Sequence, residues 1–324
     1  MIHVRAASLA DVPAIVAIHR SDIVTWKRWD AEGQAHLAEY ADLQPFERWL
    51  NGGPWMDEAS YAPYLARLLA PGEPGVALVA ELEGQVRAVA EAWLGTEPPP
   101  YGRNLNLSVI YTLRGQAGRG LGSALMAALE ARAEAAGCES LMVTHAEAAG
   151  FYARHGLARL ETWLRARLPA RAGNTQYVAE PGLPGDYDAI RGWAMPAGRY
   201  QSARQEWERV QPGAEPRFEA WRDLRQAGWR LQVRNTPAVL WLEEAPRERG
   251  VADVHLWTPA PGISRQLLGA IRDRGSQAGF SELKFFVSEA SLPQLGLDWR
   301  DDGYKQHVWL KNLPVGAERR AKSA

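Results

Sequence analysis

The 324-residue sequence is poor in cysteine and has no long apolar runs, and each shortage excludes a class of protein. Its one cysteine, Cys138, rules out an intramolecular disulfide and a metal site built from several cysteines, so we expect no metal and a reducing cytoplasm. No run of about 18 apolar residues, as a membrane-spanning helix needs, occurs. The N-terminus carries charge too early for a secretory signal peptide. The sequence therefore predicts a cytoplasmic protein without a membrane partner.

An excess of charge of either sign is also lacking, since 37 Lys and Arg stand against 38 Asp and Glu. A protein that coats nucleic acid is normally strongly basic, so we expect no nucleic-acid partner. Apolar residues make up 46% of the chain, which is enough for a sizeable core. These proportions predict an ordinary globular protein.

An internal repeat predicts two copies of one αβ unit, and the chain length agrees with two domains of about 150 residues each. The segment Asp11–Ile15 shares Asp, Ala and Ile, in register, with the segment Asp186–Ile190. Both copies end on a Trp-Leu-basic triplet followed by Leu-Pro, at Trp163 and at Trp309. We place the domains at 1–172 and 173–314 and expect a flexible tail at 315–324.

The apolar spacing of the first copy predicts a mixed α+β sheet rather than a doubly wound parallel one. A strand and a helix near the N-terminus precede a helical insert, interrupted by Pro and Gly, that runs to about Gly75. Three antiparallel strands follow, then a helix that Gly137 ends, a buried strand, a short helix and a last strand. The predicted strands and the short helix are Val76–Leu82, Gln85–Leu94, Leu105–Thr112, Leu141–Thr144, Phe151–His155 (the helix) and Leu160–Leu168.

A glycine-rich loop between Thr112 and Leu125 joins a strand to a helix and predicts an anion site. Glycines at 118, 120 and 122 let backbone N–H groups converge, and the start of the helix adds unpaired N–H groups and a positive dipole end. A nucleoside-triphosphate loop is disfavoured, because Leu121 stands where it needs Lys. A dinucleotide loop is disfavoured as well, because its third glycine would fall on Ser123 or Leu125.

The loop Ala117-Gly-Arg-Gly-Leu-Gly122 resembles the pyrophosphate loop of the GNAT acetyltransferase superfamily, although Ala117 replaces the usual Arg or Gln. A second motif, Phe151-Tyr-Ala-Arg-His-Gly-Leu157, is similar to the family's F-Y-x-x-x-G-F signature on the helix after its fifth strand. His145 stands where the family often has asparagine. The resemblance implies two tandem GNAT-like domains, as in proteins of the mycothiol synthase type.

The resemblance also implies an activity and a set of site residues. An acetyl group would pass from acetyl-CoA directly to an amine, with Tyr152 as the acid that protonates the leaving thiolate. Either Glu91, an acid among apolar neighbours, or His145 would serve as the base. A backbone N–H near Tyr111 and Thr112 would polarise the thioester. The residues expected to hold the co-substrate are Tyr111, Thr112, Ala117, Gly118, Arg119, Gly120, Leu121, Gly122 and Ser123.

The second copy lacks these features, which predicts a degenerate domain. Its expected phosphate loop, Pro259–Ser264, contains two prolines that have no N–H to give, and one glycine, Gly262. Trp299 stands before Gly303 at the spacing that Tyr152 keeps from Gly156. We therefore expect the first copy to be catalytic, in a monomer or homodimer.

Two alternatives stay open at this point. The protein could be a catalytically inactive acyl-CoA sensor or interaction module, which Ala117 and His145 favour, or it could acylate a hydroxyl or thiol. The insert mixes acids with Trp26, Trp29, Trp49 and Trp55, a composition that suits either a cationic amine or a solvated face.

Overall fold

The computed structural model describes residues 1–30, 33–214, 218–296 and 298–314, so the predicted tail lies outside the described residues. The N-terminal half contains eight strands and five α-helices among the described residues. They are β1 (Ile2–Ala6), α1 (Val12–Asp22), β2 (Trp26–Trp29), β3 (Ala35–Ala38), α2 (Pro45–Leu50), α3 (Glu58–Leu68), β4 (Gly75–Leu82), β5 (Gln85–Thr96), β6 (Arg103–Thr112), α4 (Leu121–Ala135), β7 (Ser140–Val143), α5 (Ala149–Arg154) and β8 (Ala158–Pro169).

The C-terminal half contains seven more strands and two more α-helices in its described part. They are β9 (Val178–Pro181), β10 (Ala194–Ala197), α6 (Ala203–Arg209), β11 (Gln226–Val233), β12 (Thr236–Glu244), β13 (Val251–Thr258), α7 (Arg265–Gln277), β14 (Glu282–Ser288) and β15 (Arg300–Asn312). None of the helices described in either half is both long and apolar enough to span a lipid bilayer.

Local sequence signals explain the main elements of the first half. Glu83 and Gly84 both have positive φ and form the two-residue turn between β4 and β5, as the Glu-Gly pair predicts. Helix α4 buries Leu121, Leu125, Met126, Leu129 and Ala133 against the sheet, and Gly137 ends it with φ 69°. The antiparallel order β4–β5–β6 and the mixed α+β class are confirmed.

The insert before β4 is not only helical, which corrects the prediction. Strands β2 and β3 form a separate antiparallel hairpin. The side chain of Asn51, after α2, accepts a hydrogen bond from the Lys27 N–H at 2.9 Å and donates one to the Lys27 carbonyl at 2.8 Å. These bonds satisfy the backbone of β2 as a neighbouring strand would, and helical periodicity in the sequence does not reveal them.

Thirteen strands of the described residues form one sheet that runs through both halves. The order along it is β1-β4-β5-β6-β7-β15-β8-β14-β13-β12-β11-β9, with β10 attached to β13. The last strands of the two copies are exchanged. Strand β15 of the C-terminal half lies between β7 and β8, and β8 of the N-terminal half pairs with β14.

The exchange also moves side chains from one core to the other. Ala166 and Leu168 of β8, both 0% exposed, pack in the core formed by the C-terminal half. Leu313, just after β15, packs in the N-terminal core, and Trp309 lies against that core. Each half therefore completes the apolar core of the other.

We expect the halves to stay together after the linker is cut. A protease site placed after Ala172, in the exposed stretch 171–174, should give two fragments that co-elute in size-exclusion chromatography and unfold in one thermal transition. The physical reason is that each fragment supplies a strand and core residues to the other. Fragments that separate in native buffer would contradict the exchange.

Candidate active site

Strands β6 and β7 separate part of the way along their length. Their parallel pairing covers residues 104–107 and 140–143 and ends at the pair Leu107–Val143. Ser108 is an extra residue in β6, because Glu91 pairs with Val109 while Ala92 pairs with Leu107. Such a bulge bends its strand. Among the described residues no strand pairs with the β7-facing edge of β6 after Leu107, so an opening forms between the two strands.

Tyr111 and Thr112 lie on the separated end of β6, opposite Val89 and Ala88 of β5. The bulge itself is at Ser108, three residues before Tyr111. The Ser108 hydroxyl donates to the carbonyl oxygen of Glu91 at 3.0 Å, which ties the bulge to β5. The site is thus built where a regular sheet is interrupted.

The glycine-rich loop presents its backbone at the start of α4. Gly118 and Gly120 have φ of 79° and 84°, a left-handed backbone that an ordinary side chain strains. The N–H groups of residues 120–123 have no acceptor among the described residues. Leu121 is buried to 1% exposure and holds the helix start in place, while residues 117–120 are exposed. Four unpaired amides at a positive helix end fit a pyrophosphate.

The side chain of Arg119 lies beside this loop. Its guanidinium donates to Gln116 Oε1 at 2.7 Å and is 3.7 Å from Glu83 Oε1. Both contacts are on exposed groups, so they leave the side chain largely solvated.

Helix α5 packs directly on this helix start. A Cβ added at Gly122 would lie 3.3 Å from the ring of Phe151, and His155 Nε2 is 3.2 Å from the hydroxyl of Ser123. Tyr152 is 6% exposed. Burial, with smaller contributions from the charges of Glu147 and Tyr111, raises the pKa of its phenol to about 12. Tyr152 therefore keeps its proton at neutral pH.

A cavity of about 1000 Å³ lies between the two halves, beside the opening. Ser108, Val109, Tyr111 and His145 line it from the N-terminal half. The C-terminal half lines it with residues of the segment after β10 and of strands β12 to β14, and the insert contributes Trp49 and Trp55. The sequence predicted four functional side chains here. Two of them, Tyr111 and His145, line the cavity, whereas Glu91 and Tyr152 are not among its described lining residues.

Glu91 lies behind that wall and is 0% exposed. Its carboxylate accepts hydrogen bonds from Trp55 Nε1 at 2.8 Å, the Tyr61 hydroxyl at 2.7 Å and the Tyr64 hydroxyl at 3.1 Å. Burial outweighs these three bonds and raises the pKa of Glu91 to about 7. Trp55 and Tyr64 line the cavity, so hydrogen bonds from these two residues connect the buried Glu91 carboxylate to the cavity wall.

His145 follows β7 and has partners from both halves. Its Nε2 is 3.1 Å from Glu147 Oε1 and 3.1 Å from the hydroxyl of Tyr304, which lies on β15. The imidazole stacks on the Tyr304 ring, with centroids 5.8 Å apart. The strand exchange thus brings a C-terminal residue to this candidate base.

Sequence reasoning missed several residues of this site. His19 of α1 stacks on Trp55 at 5.4 Å and lies 4.7 Å from the Tyr111 ring. It is 3% exposed, and burial lowers its pKa to about 3, so it is neutral. Tyr64 of α3 and Tyr304 of β15 are the others. Each comes from an element distant in sequence from the two motifs, and no local pattern marks them.

In the C-terminal half the equivalent opening is filled. Strands β13 and β14 pair in parallel only up to Asp253 and Lys284, and β10 then pairs with β13 from Ala197 to Ala194. The Gly198 N–H donates to the Phe286 carbonyl on β14 at 2.8 Å. A Cβ on Gly198 would lie 2.0 Å from the Val254 carbonyl oxygen, so the segment is tightly wedged.

The helix start of that half is also different. Ser264 caps α7, and its hydroxyl accepts from the Leu267 N–H at 3.1 Å. The cap and the two prolines leave fewer free amides than at the start of α4.

The comparisons agree with this geometry. Residues 36–157 match the model of the acetyltransferase (GNAT) family. The solved structure of a GCN5-related N-acetyltransferase from Anabaena variabilis is similar, with 10% sequence identity and a TM-score of 0.61. The match covers 96% of this chain and 73% of that chain. Another, from Kribbella flavida, is 11% identical with a TM-score of 0.58, covering 96% and 72%. Among curated protein sequences, none matches this chain significantly.

At such low identity the structural likeness establishes the fold, along nearly the whole chain, and the family model establishes the domain. The motifs on the loop and on α5 both fall within residues 36–157. The chain therefore has the GNAT fold, and its residues 36–157 match the acetyltransferase (GNAT) family.

Proposed function

We propose that the protein transfers an acetyl group from acetyl-CoA to a small-molecule or peptide amine, and that the N-terminal half holds the reacting groups. The contrast between the two openings supports this proposal. The opening between β6 and β7 adjoins four unpaired amides and a cavity, whereas β10 fills its counterpart. A single coenzyme site per chain follows.

The co-substrate would be held by the loop and the separated strand. The amides of residues 117–123 would bind the pyrophosphate, as their free N–H groups and the helix dipole favour. The unpaired edge of β6 up to Tyr111 and Thr112 would donate to the thioester oxygen and stabilise the charge that develops there.

Tyr152 would protonate the leaving thiolate. Its phenol lies on the helix that packs against the loop, and its raised pKa keeps it in the acid form. The proton would pass from the phenol oxygen to the coenzyme sulfur as the C–S bond breaks.

Glu91 would take the proton of the acceptor amine through Tyr64. The Tyr64 hydroxyl would pass its own proton to Glu91 Oε2, 3.1 Å away, while it accepts one from the ammonium. A carboxyl with a pKa of about 7 is suited to that exchange at neutral pH. His145, on the cavity wall, is the other candidate base.

The cytoplasmic location, the domain boundary at 172/173 and the monomeric or homodimeric state are further proposals, made from the sequence. The single cysteine and the balanced charge support the location and the absence of a nucleic-acid partner.

Substitution of Gly120 tests the function and the coenzyme site together. The wild-type protein should bind one acetyl-CoA per chain in calorimetry and release free thiol only when an amine from a panel is added. Gly120→Val should weaken binding at least tenfold, because a β-branched residue is strained at φ 84° and crowds the amides. Gly262→Val, in the degenerate loop with open space around it, is the matched control and should bind normally.

Two outcomes would contradict this scheme. An unchanged dissociation constant for Gly120→Val would remove the loop as the coenzyme site. Binding without thiol release from any amine would instead indicate an acyl-CoA sensor.

Tyr152→Phe isolates the proposed acid. We expect turnover to fall at least about tenfold, since general acid catalysis contributes that much or more, while the affinity for acetyl-CoA stays within about twofold. Tyr187→Phe, which removes another buried phenol far from the loop, serves as the control. If turnover of Tyr152→Phe equals that of the wild type, another group protonates the thiolate.

The pH dependence of turnover distinguishes the two bases. The groups that face the Glu91 carboxylate are Trp55, Tyr61 and Tyr64, and none of them is charged at neutral pH. Because the base must be ionised, turnover should rise with pH and level off above the Glu91 pKa of about 7. Glu91→Gln should lose most of the activity and this rise.

The matched variant is His145→Gln, which should keep the rise. A rise that persists in Glu91→Gln and disappears in His145→Gln would identify His145 as the base instead.

A further inference from the structure

Four aromatic rings form one continuous corner of the cavity next to the opening. They belong to His19, Trp55, Tyr64 and Tyr111, and all four residues line the cavity. The His19 ring lies between those of Trp55 and Tyr111, and Trp55 lies edge-on to Tyr64 at 5.6 Å. We call these four residues the aromatic corner.

A buried carboxylate stands directly behind the aromatic corner. The indole N–H of Trp55 and the hydroxyl of Tyr64 both donate to Glu91. Hydrogen bonds to an anion push electron density into the donor rings, which strengthens their attraction for a cation on the open face. The neutral His19 adds no opposing charge.

The charges around the cavity leave the aromatic corner without a cation of its own. The basic side chains on the described wall are engaged with acids or a carbonyl: Arg67 with Glu208, Arg165 with Asp302, Arg209 with Glu243, Lys284 with Glu248, and Arg247 with the Leu50 oxygen. Asp22, also on the wall, has no ion-pair partner in the described part of the chain, and its charge contributes to the raised pKa of Tyr111.

We propose that the aromatic corner is the subsite for the alkylammonium head of the acceptor. This inference rests on the proposed function and deepens it, because it names the acceptor as a cationic alkylamine. A compact ammonium head would lie against the ring faces of Trp55 and Tyr111, with Asp22 at the edge and the Glu91–Tyr64 pair within reach of its proton.

The size of the cavity fits an acceptor molecule that is larger than its ammonium head. The volume of about 1000 Å³ is at the upper end of ordinary small-molecule pockets, so the ammonium fills only one corner of it. The wall continues into the C-terminal half, which lines it with the aromatic residues Tyr200, Phe285 and Phe286 and also with charged side chains, so the body of the acceptor would meet both kinds of surface.

Tetramethylammonium is the probe for this subsite, because it carries the charge and shape of an alkylammonium but has no proton or hydroxyl to react. Calorimetry on the full chain, without acetyl-CoA, should show saturable binding. The uncharged analogue tert-butanol, of similar shape, should bind at least fivefold more weakly. In the thiol-release assay the cation should compete with the amine and not with acetyl-CoA.

Trp55→Leu should weaken tetramethylammonium binding at least fivefold. Trp26→Leu is the matched control, since Trp26 lies on the separate hairpin away from the cavity wall, and it should bind normally. Tyr111 is 36% exposed, so Tyr111→Leu should fold even if Trp55→Leu does not, and it should show the same loss.

The outcomes separate this inference from the proposed function. Equal binding of both probes, or equal loss in Trp55→Leu and Trp26→Leu, would overturn the subsite while thiol release with an amine could still proceed. Charge-selective binding lost only in the aromatic variants would support the subsite even if no amine released thiol.

Discussion

The separation of β6 from β7 at the Ser108 bulge is the constraint on which the rest of the site depends. Had the two strands stayed paired beyond Leu107 and Val143, backbone groups of β6 would be consumed in the ladder. Because the strands diverge, a main-chain edge of β6 faces the opening, and the loop that leads to the free amides of α4 begins at the end of that strand. The proposed chemistry would therefore use backbone groups that the sheet leaves unpaired.

The same separation occurs in the second copy and has the opposite consequence. There β10 pairs with the part of β13 that β14 leaves unpaired, and the Gly198 N–H donates a hydrogen bond to a carbonyl of β14. The chain that fills this opening continues to Gln201, whose side chain accepts hydrogen bonds from Asn106 and Thr144 near the first opening. The second copy has thus become a wall of the cavity, fixed in place by the exchanged strands β8 and β15.

The sequence allowed those features to be predicted that depend on residues close together in the chain. The loop at 118–122 and the motif Phe151–Leu157 carried a resemblance that implied the GNAT fold, and this expectation is confirmed. That the prolines after β13 mark a degenerate copy stays a prediction. The strand exchange was not predictable, because β8 and β15 have the same alternating pattern whichever neighbour they pair with. Nor could any spacing show that Trp55, Tyr61 and Tyr64 surround Glu91, since these contacts span 27 to 36 positions.

The most direct measurement of the central claim is a crystal structure of the protein with coenzyme A. The account predicts one molecule per chain, its pyrophosphate oxygens within hydrogen-bond distance of the amides of residues 120–123 and its thiol end between β6 and β7. Coenzyme bound at the start of α7, or a loop at 117–123 whose amides point away from the phosphates, would contradict it.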